Sequence, residues 1–195
     1  MPLRVIGGTA KGRQLKLVPG DTTRPIMDRV KEALFNIIGR DIYDSVFLDL
    51  FAGTGSVGIE ALSRGAERAV FIDMERKAVQ TVNENLAIAK LADKATVRQG
   101  DALKVVAQPP TYHFHYVYIA PPQYKGLWST VLQTLDNNPL WLHDDTEFIV
   151  QIDPNEETTI ELKHMETTDQ RRYGNTLLWF LGSKLQSTDG QPQEE

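Results

Sequence analysis

An α/β fold, a parallel sheet covered on both faces by helices, is predicted by three observations. Strand-length apolar segments alternate with amphipathic helical segments from residue 45 onward. The early strands are apolar throughout, as strands buried on both faces are. A glycine-rich turn joins the first of them to the next helix.

The elements follow in chain order. Leu3 and Val5, then Leu15 and Leu17, alternate with polar residues around GGTAKGR, which predicts a small hairpin. TTRPIMDRVKEALFNIIG predicts a helix with Ile26, Val30, Ala33, Leu34, Ile37 and Ile38 on one face. Threonine and proline mark its start and Gly39 its end. SVFLDLF is the first sheet strand, followed by the glycine turn and a helix from about Ser56 to Arg64 closed by Gly65. AVFID is the second strand, and ERKAVQTVNENLAIA is a helix with Val79, Val82, Leu86 and Ala89 in register. ATVRQ, YVYIA, EFIVQI, TIEL and TLLWFL are expected to supply strands three to seven. Three regions result: a basic hairpin and helix over 1–40, an α/β domain over 41–185, and a polar, disordered tail over 186–195.

With 195 residues and 41% hydrophobic content, the chain has enough material for one domain with a full core. It contains no cysteine, which excludes disulfides and thiolate metal sites. MPLRVIGGTAKGR lacks the apolar core of a signal peptide, and no apolar run approaches the ~20 residues of a membrane span. A soluble cytoplasmic protein with no membrane partner is expected. Net charge is −5, but it is unevenly placed. Residues 1–31 hold seven cationic side chains (Arg4, Lys11, Arg13, Lys16, Arg24, Arg29, Lys31) against Asp21 and Asp28, a balance of +5. The remaining 164 residues therefore carry −10. A basic arm on an acidic body fits a polyanionic partner, and it also fits a solvated charged hairpin.

The most informative stretch is LDLFAGTGSVGIEAL. Gly53, Gly55 and Gly58 form G-x-G-x-x-G between strand and helix, and Asp73 ends the next strand twenty residues after Gly53. This is the dinucleotide fingerprint, so a nicotinamide or flavin enzyme has to be weighed. Asp49 argues against it. A pyrophosphate at this strand end would face a carboxylate in a site shielded from water. S-adenosyl-L-methionine instead brings a sulfonium and an ammonium group, both positive. In that reading the backbone of Ala52, Gly53, Thr54 and Gly55, flanked by Phe51, lets the methionine part approach closely. Asp73 accepts from the ribose hydroxyls beside Met74, and Asp101 with the Ala102 N–H receives the adenine. Asp49, Asp73 and Asp101 all fall at carboxyl ends of strands, where open α/β sheets bind ligands. Singly, each could be only a helix cap.

FLDLFAGTGSVGIEALSRGA resembles the first motif of class I S-adenosylmethionine-dependent methyltransferases. More narrowly, residues 3–182 resemble the RsmD family, bacterial enzymes that methylate the exocyclic N2 of a guanine in 16S ribosomal RNA. RVIGGTAKGRQL, TRPIMDRVKEALFNII, FIDMERKAV, NENL and RRYGNTLL carry the resemblance along with the glycine loop. It implies a Rossmann-like, seven-stranded, mostly parallel sheet with an antiparallel last strand and an N-terminal hairpin that engages RNA. The implied partner is 16S ribosomal RNA or the small ribosomal subunit, approached by a monomer. The RNA contacts expected are Arg4, Lys11, Arg13, Arg24, Arg29 and Arg172, the last in a loop that the family places near the target base.

Amino methyltransferases of this type carry Asp-Pro-Pro-Tyr, or an Asn variant, after the fourth strand. A guanine amino nitrogen is a poor nucleophile, because its lone pair is delocalised into the ring. Acceptors on its hydrogens orient it and stabilise the charge that grows during transfer. The aromatic residue stacks on the extruded base. This chain reads Ala120-Pro121-Pro122-Gln123-Tyr124. The acid is absent and the aromatic is displaced by one position, leaving backbone carbonyls, the Gln123 amide and Tyr124 as expected catalytic groups. A homologue that binds cofactor and RNA but transfers methyl poorly is the alternative. His113 and His115 share one potential strand face, but with no cysteine or acidic cluster nearby in sequence no metal site is expected.

Overall fold

A computed structural model of the chain describes residues 2–20 and 26–184. Arg24 and the 186–195 tail lie outside the described residues. Seven strands form one sheet: β1 (Val46–Asp49), β2 (Arg68–Asp73), β3 (Ala95–Gln99), β4 (Tyr116–Ile119), β5 (Glu147–Ile152), β6 (Met165–Tyr173) and β7 (Thr176–Ser183). Their order is β3-β2-β1-β4-β5-β7-β6. β1 to β5 pair in parallel, and β7 is antiparallel to both β5 and β6. Five helices accompany them: α1 (Asp28–Ile38), α2 (Ser56–Arg64), α3 (Arg76–Ala89), α4 (Ala102–Val106) and α5 (Leu127–Asp136).

The expected seven-stranded, Rossmann-like sheet with an antiparallel last strand is therefore present. Two cores flank it. One holds Phe47, Tyr116, Tyr118, Ile149 and Leu178 from the sheet, with Val30 and Leu34 of α1, Ile59 and Leu62 of α2, Val82 and Leu86 of α3, and Leu3, Val5 and Leu15 of the N-terminal segment. The other packs Leu48, Val70, Val117, Phe148 and Val150 against Trp128, Val131 and Leu132 of α5. Alternate residues of β1, β2, β4, β5 and β7 enter alternate cores, as the pleat requires.

Three expectations need correction. TIEL is not a strand. Ile160 and Leu162 pack against the α5-side core from an unpaired segment, and the strand lies further on, at Met165–Tyr173. Helix α1 begins at Asp28, beyond the threonine and proline, and its inward face carries Lys31 and Phe35, while Ile37 is exposed. The N-terminal hairpin is a short excursion with a single bridge, Arg4 to Gln14, flanked by Val5–Arg13 and Leu15–Leu3 backbone bonds.

Side chains from other elements hold this excursion in place. Glu60 of α2, fully buried, accepts from the Ile6 and Gly7 N–H groups at 2.9 and 2.7 Å, and from Arg64 Nε at 2.8 Å. Ser63 Oγ donates to the Gly7 carbonyl and accepts from the Ala10 N–H. Asn85 of α3 clasps Lys16 from both sides, accepting its N–H at 2.7 Å and donating to its carbonyl at 3.0 Å. Arg13 donates to the Ile88 carbonyl at the end of α3. Every polar group in these buried contacts finds a partner, as burial demands.

Candidate active site

Strand order reverses at β1, which has β2 on one side and β4 on the other. Ligands of open α/β sheets bind at such a switch point, outside the carboxyl ends of the strands. Here it sets Asp49 directly beside Tyr118, two residues before Ala120. Motifs some seventy residues apart in the chain thus share one crevice.

The glycine turn is built from two left-handed residues, Gly53 (φ 53°) and Gly55 (φ 74°), a conformation open to glycine at little cost. The Gly55 N–H donates to the Ala52 carbonyl and closes the turn. A Cβ on Gly53 would meet no atom within 4 Å, so the surface above it is open. Gly58 is different in kind: a Cβ there would lie 2.3 Å from the Phe71 ring, so its hydrogen lets α2 pack onto β2. The Gly53 N–H donates to Asp73 Oδ2 at 2.8 Å, and the Glu75 N–H to Asp73 Oδ1 at 2.8 Å. Asn85 Nδ2 donates to the Thr54 carbonyl at 2.8 Å, so one carboxamide holds both the N-terminal arm and the glycine loop.

Asp49 is 1% exposed. Its Oδ2 accepts from the Gly58 N–H at 3.3 Å, whereas its Oδ1 is buried with no partner. Burial pushes its carboxyl up to about 7, opposed by the Gly58 and Phe51 N–H groups and reinforced by Asp73. A half-ionised buried acid beside an open loop is a receptor for a positive group. Of the other expected cofactor contacts, Ala52 is buried, Phe51 half-buried and Met74 exposed. Met74 is fixed through its carbonyl by Gln99 Nε2 at 3.0 Å. Asp101 caps α4, its Oδ1 accepting from the Leu103 N–H at 2.9 Å, and Ala102 opens that helix.

Beyond β4, Ala120 is half-buried against the core that contains Tyr118, Pro121 is buried, and Pro122, Gln123 and Tyr124 are exposed. Tyr124 has φ 59°, uncommon for an aromatic residue. Its N–H donates to Glu156 Oε1 at 2.6 Å, and a hydrogen bond to Asp153 holds its phenol pKa above the usual value. The ring is thus tied to the segment after β5. On the neighbouring strand, Tyr118 Oη donates to Gln151 Oε1 at 2.5 Å. EFIVQI reads as core, with no sign of a polar partner there, and nothing in the chain's pattern marks Glu60 or Asn85 as anchors of the N-terminal arm.

The expected RNA contacts differ in their surroundings. Arg4 is paired with Asp28 at 2.9 Å, Arg13 is spent on Ile88, and Lys11 is exposed. Arg29 and Arg172 both approach Gly174: Arg172 Nε donates to the Gly174 carbonyl at 3.2 Å, and a Cβ on Gly174 would lie 3.0 Å from Arg29 Nη2. This turn between β6 and β7 opens at the same end of the sheet as the glycine loop. At the opposite end, ligand atoms of His113, His115 and Asp145 lie within 4.8 Å of one another. His115 Nδ1 accepts the Val46 N–H at 3.0 Å, which leaves its proton on the Nε2 that faces Asp145. That tautomer is neutral and turns an N–H, not a metal-ligating lone pair, toward Asp145.

A family model described as "Conserved hypothetical protein 95" matches residues 3–182. The ribosomal RNA small subunit methyltransferase D of Escherichia coli K12 is 40% identical over 149 residues, 76% of this chain and 74% of that protein. The chain belongs to the RsmD family. Bacillus subtilis YlbH is also 40% identical, over 177 residues that span 89% of this chain and 95% of its own. Among solved structures, Escherichia coli yhhF superposes with a TM-score of 0.82 at 32% identity, covering 95% of this chain and all of that one. RsmD-family membership accounts for the sheet order and for the glycine loop between β1 and α2. No helix among the described residues is long and apolar enough to cross a membrane.

Proposed function

We propose that the protein transfers a methyl group from S-adenosyl-L-methionine to the exocyclic N2 of a guanine in 16S ribosomal RNA, acting as a monomer on the RNA or the small ribosomal subunit. The observation that carries this reading is the buried, unpartnered Asp49 Oδ1 beside the open surface of Gly53. The cofactor brings positive charge to match it and supplies the electrophilic methyl group. Asp73, its oxygens fixed by Gly53 and Glu75, still has lone pairs for ribose hydroxyls, and Met74, Asp101 and Ala102 bound the adenine end. Residues 1–40 form the RNA-facing extension and 41–185 the transfer domain, with Arg29 and Arg172 gripping phosphate beside the β6–β7 turn.

A second reading, a homologue that binds both partners but transfers poorly, is favoured by the absence of an acid at Ala120 and the anchoring of Tyr124 to Glu156. The test is transfer of labelled methyl to small subunits lacking the modification, with the product nucleotide identified by mass. N2-methylguanine from wild type, lost in Asp49→Ala, supports the first reading. An inactive wild type with activity gained in Ala120→Asp supports the second.

A further inference from the structure

An amino nitrogen attacking a methyl group needs an acceptor on its N–H, and Ala120 has no polar side-chain atom to offer. The β4–β5 register runs Tyr118 to Ile149 and Ile119 to Val150, so one step on Ala120 stands opposite Gln151. Strands lie about 4.8 Å apart, and residues in step point to the same face. Gln151 is half-buried. Its Oε1 accepts from Tyr118 Oη, which fixes the rotamer. Tyr118 is 2% exposed, and burial together with Asp49 keeps its phenol protonated, so its hydroxyl has the proton to donate to Gln151. A carboxamide oxygen has two lone pairs, and only one is occupied here. Gln151 Nε2 makes no hydrogen bond with the described residues.

We infer that Gln151 supplies the acceptor that Ala120 lacks: its Oε1, polarised by Tyr118, takes a hydrogen bond from the amino group of the target base, an inference that rests on the proposed reaction. The nitrogen lone pair forms the new N–C bond as the C–S bond breaks toward sulfur. Positive charge then grows on nitrogen until one of its protons passes to water. Gln151 accepts a hydrogen bond throughout and takes no proton, being an amide. Its unused Nε2 can donate to the ring nitrogen N3 beside the amino group of guanine, a two-point match that a carboxylate lacks.

The test uses the full chain and small subunits lacking the modification, with Gln151→Met, which keeps length and removes the acceptor, and Gln151→Met combined with Ala120→Asp. Loss of one such transition-state acceptor is expected to lower kcat about 10²–10³-fold. The KM for subunits and the Kd for S-adenosylhomocysteine should stay close to wild type, while Tm should fall by a few degrees because the buried Tyr118 hydroxyl loses its partner. Ala120→Asp should restore at least tenfold of the loss, which a merely structural role for Gln151 would not predict. A Gln151→Met kcat within threefold of wild type, or a loss that Ala120→Asp does not restore, overturns the assignment. A wild type that makes no N2-methylguanine overturns the proposed reaction itself, and the two failures are told apart by that control.

Discussion

Lys31 Nζ lies 3.4 Å from Glu60 Oε2, and neither side chain is reached by solvent. Lys31 also donates to the Arg4 carbonyl at 2.7 Å, so the pair joins α1, α2 and the N-terminal arm. Removing one member of a buried pair typically costs about 3–5 kcal/mol, because the other is left uncompensated. Glu60→Ala should cost more than Lys31→Met: it strands Lys31 together with the Ile6 and Gly7 N–H groups, whereas Glu60 without Lys31 keeps Arg64. Urea unfolding of the two variants checks the order.

Asp49 should make the ligand-free protein less stable as pH rises. Its folded pKa of about 7 stands above the ordinary aspartate value of 3.8. The group therefore contributes most below pH 4, and that contribution falls by about 1.4 kcal/mol per pH unit until pH passes about 7. Asp49→Asn should raise Tm relative to wild type at pH 8 and lose this advantage by pH 4. A Tm difference that does not vary with pH would refute the assignment.

A cation bound beside Asp49 should pull its carboxyl down and expel the proton. Binding of S-adenosylmethionine is expected to release about one proton at pH 6 and about half at pH 7. Calorimetric titrations in two buffers of different ionisation enthalpy measure this directly. Asp49→Asn should abolish the buffer dependence.

The glycines of the loop should fail in different ways. Gly58→Ala drives a methyl into Phe71 and is expected to cost about 1–3 kcal/mol of stability. Gly53→Ala meets no atom within 4 Å, so its left-handed backbone adds only about 1–2 kcal/mol, while its methyl occupies the open surface. Cofactor affinity should fall at least tenfold in Gly53→Ala. In Gly58→Ala it should be near wild type at temperatures where the protein is folded.

Asn85→Leu removes three hydrogen bonds, two to Lys16 and one to Thr54. At roughly 1 kcal/mol each, a loss of about 2–4 kcal/mol is expected. Amide exchange should speed up at Lys16 and in the glycine loop together, since one side chain holds both.

What the sequence disclosed was local. The glycine loop, the acid at the end of β1 and helix α2 from Ser56 to Arg64 follow from spacing and from unbroken apolar runs. β6 was missed because METTDQRRY is polar and mostly exposed at the sheet edge, so no apolar period marks it. TIEL has the alternation but no neighbouring strand to pair with. Lys31, Glu60 and Gln151 were illegible for a shared reason. A polar residue buried by a distant segment looks, in one dimension, like one facing water. The same holds for Tyr124, whose backbone is fixed by Glu156, 32 residues away.

The anchors of the N-terminal arm also set an order of events during synthesis. Glu60, Ser63, Asn85 and Ile88, which fasten residues 6 to 16, all precede Gly100, and so do β1, β2 and β3. The nascent chain can thus close the arm over α2 and α3 before β4, starting at Tyr116, has left the ribosome. Until then the far edge of β1, Val46–Asp49, has no partner strand, and an uncovered apolar edge invites pairing with other chains. Messages truncated between codons 100 and 116 should therefore yield a half-sheet that collects chaperones, whereas the full-length message should not.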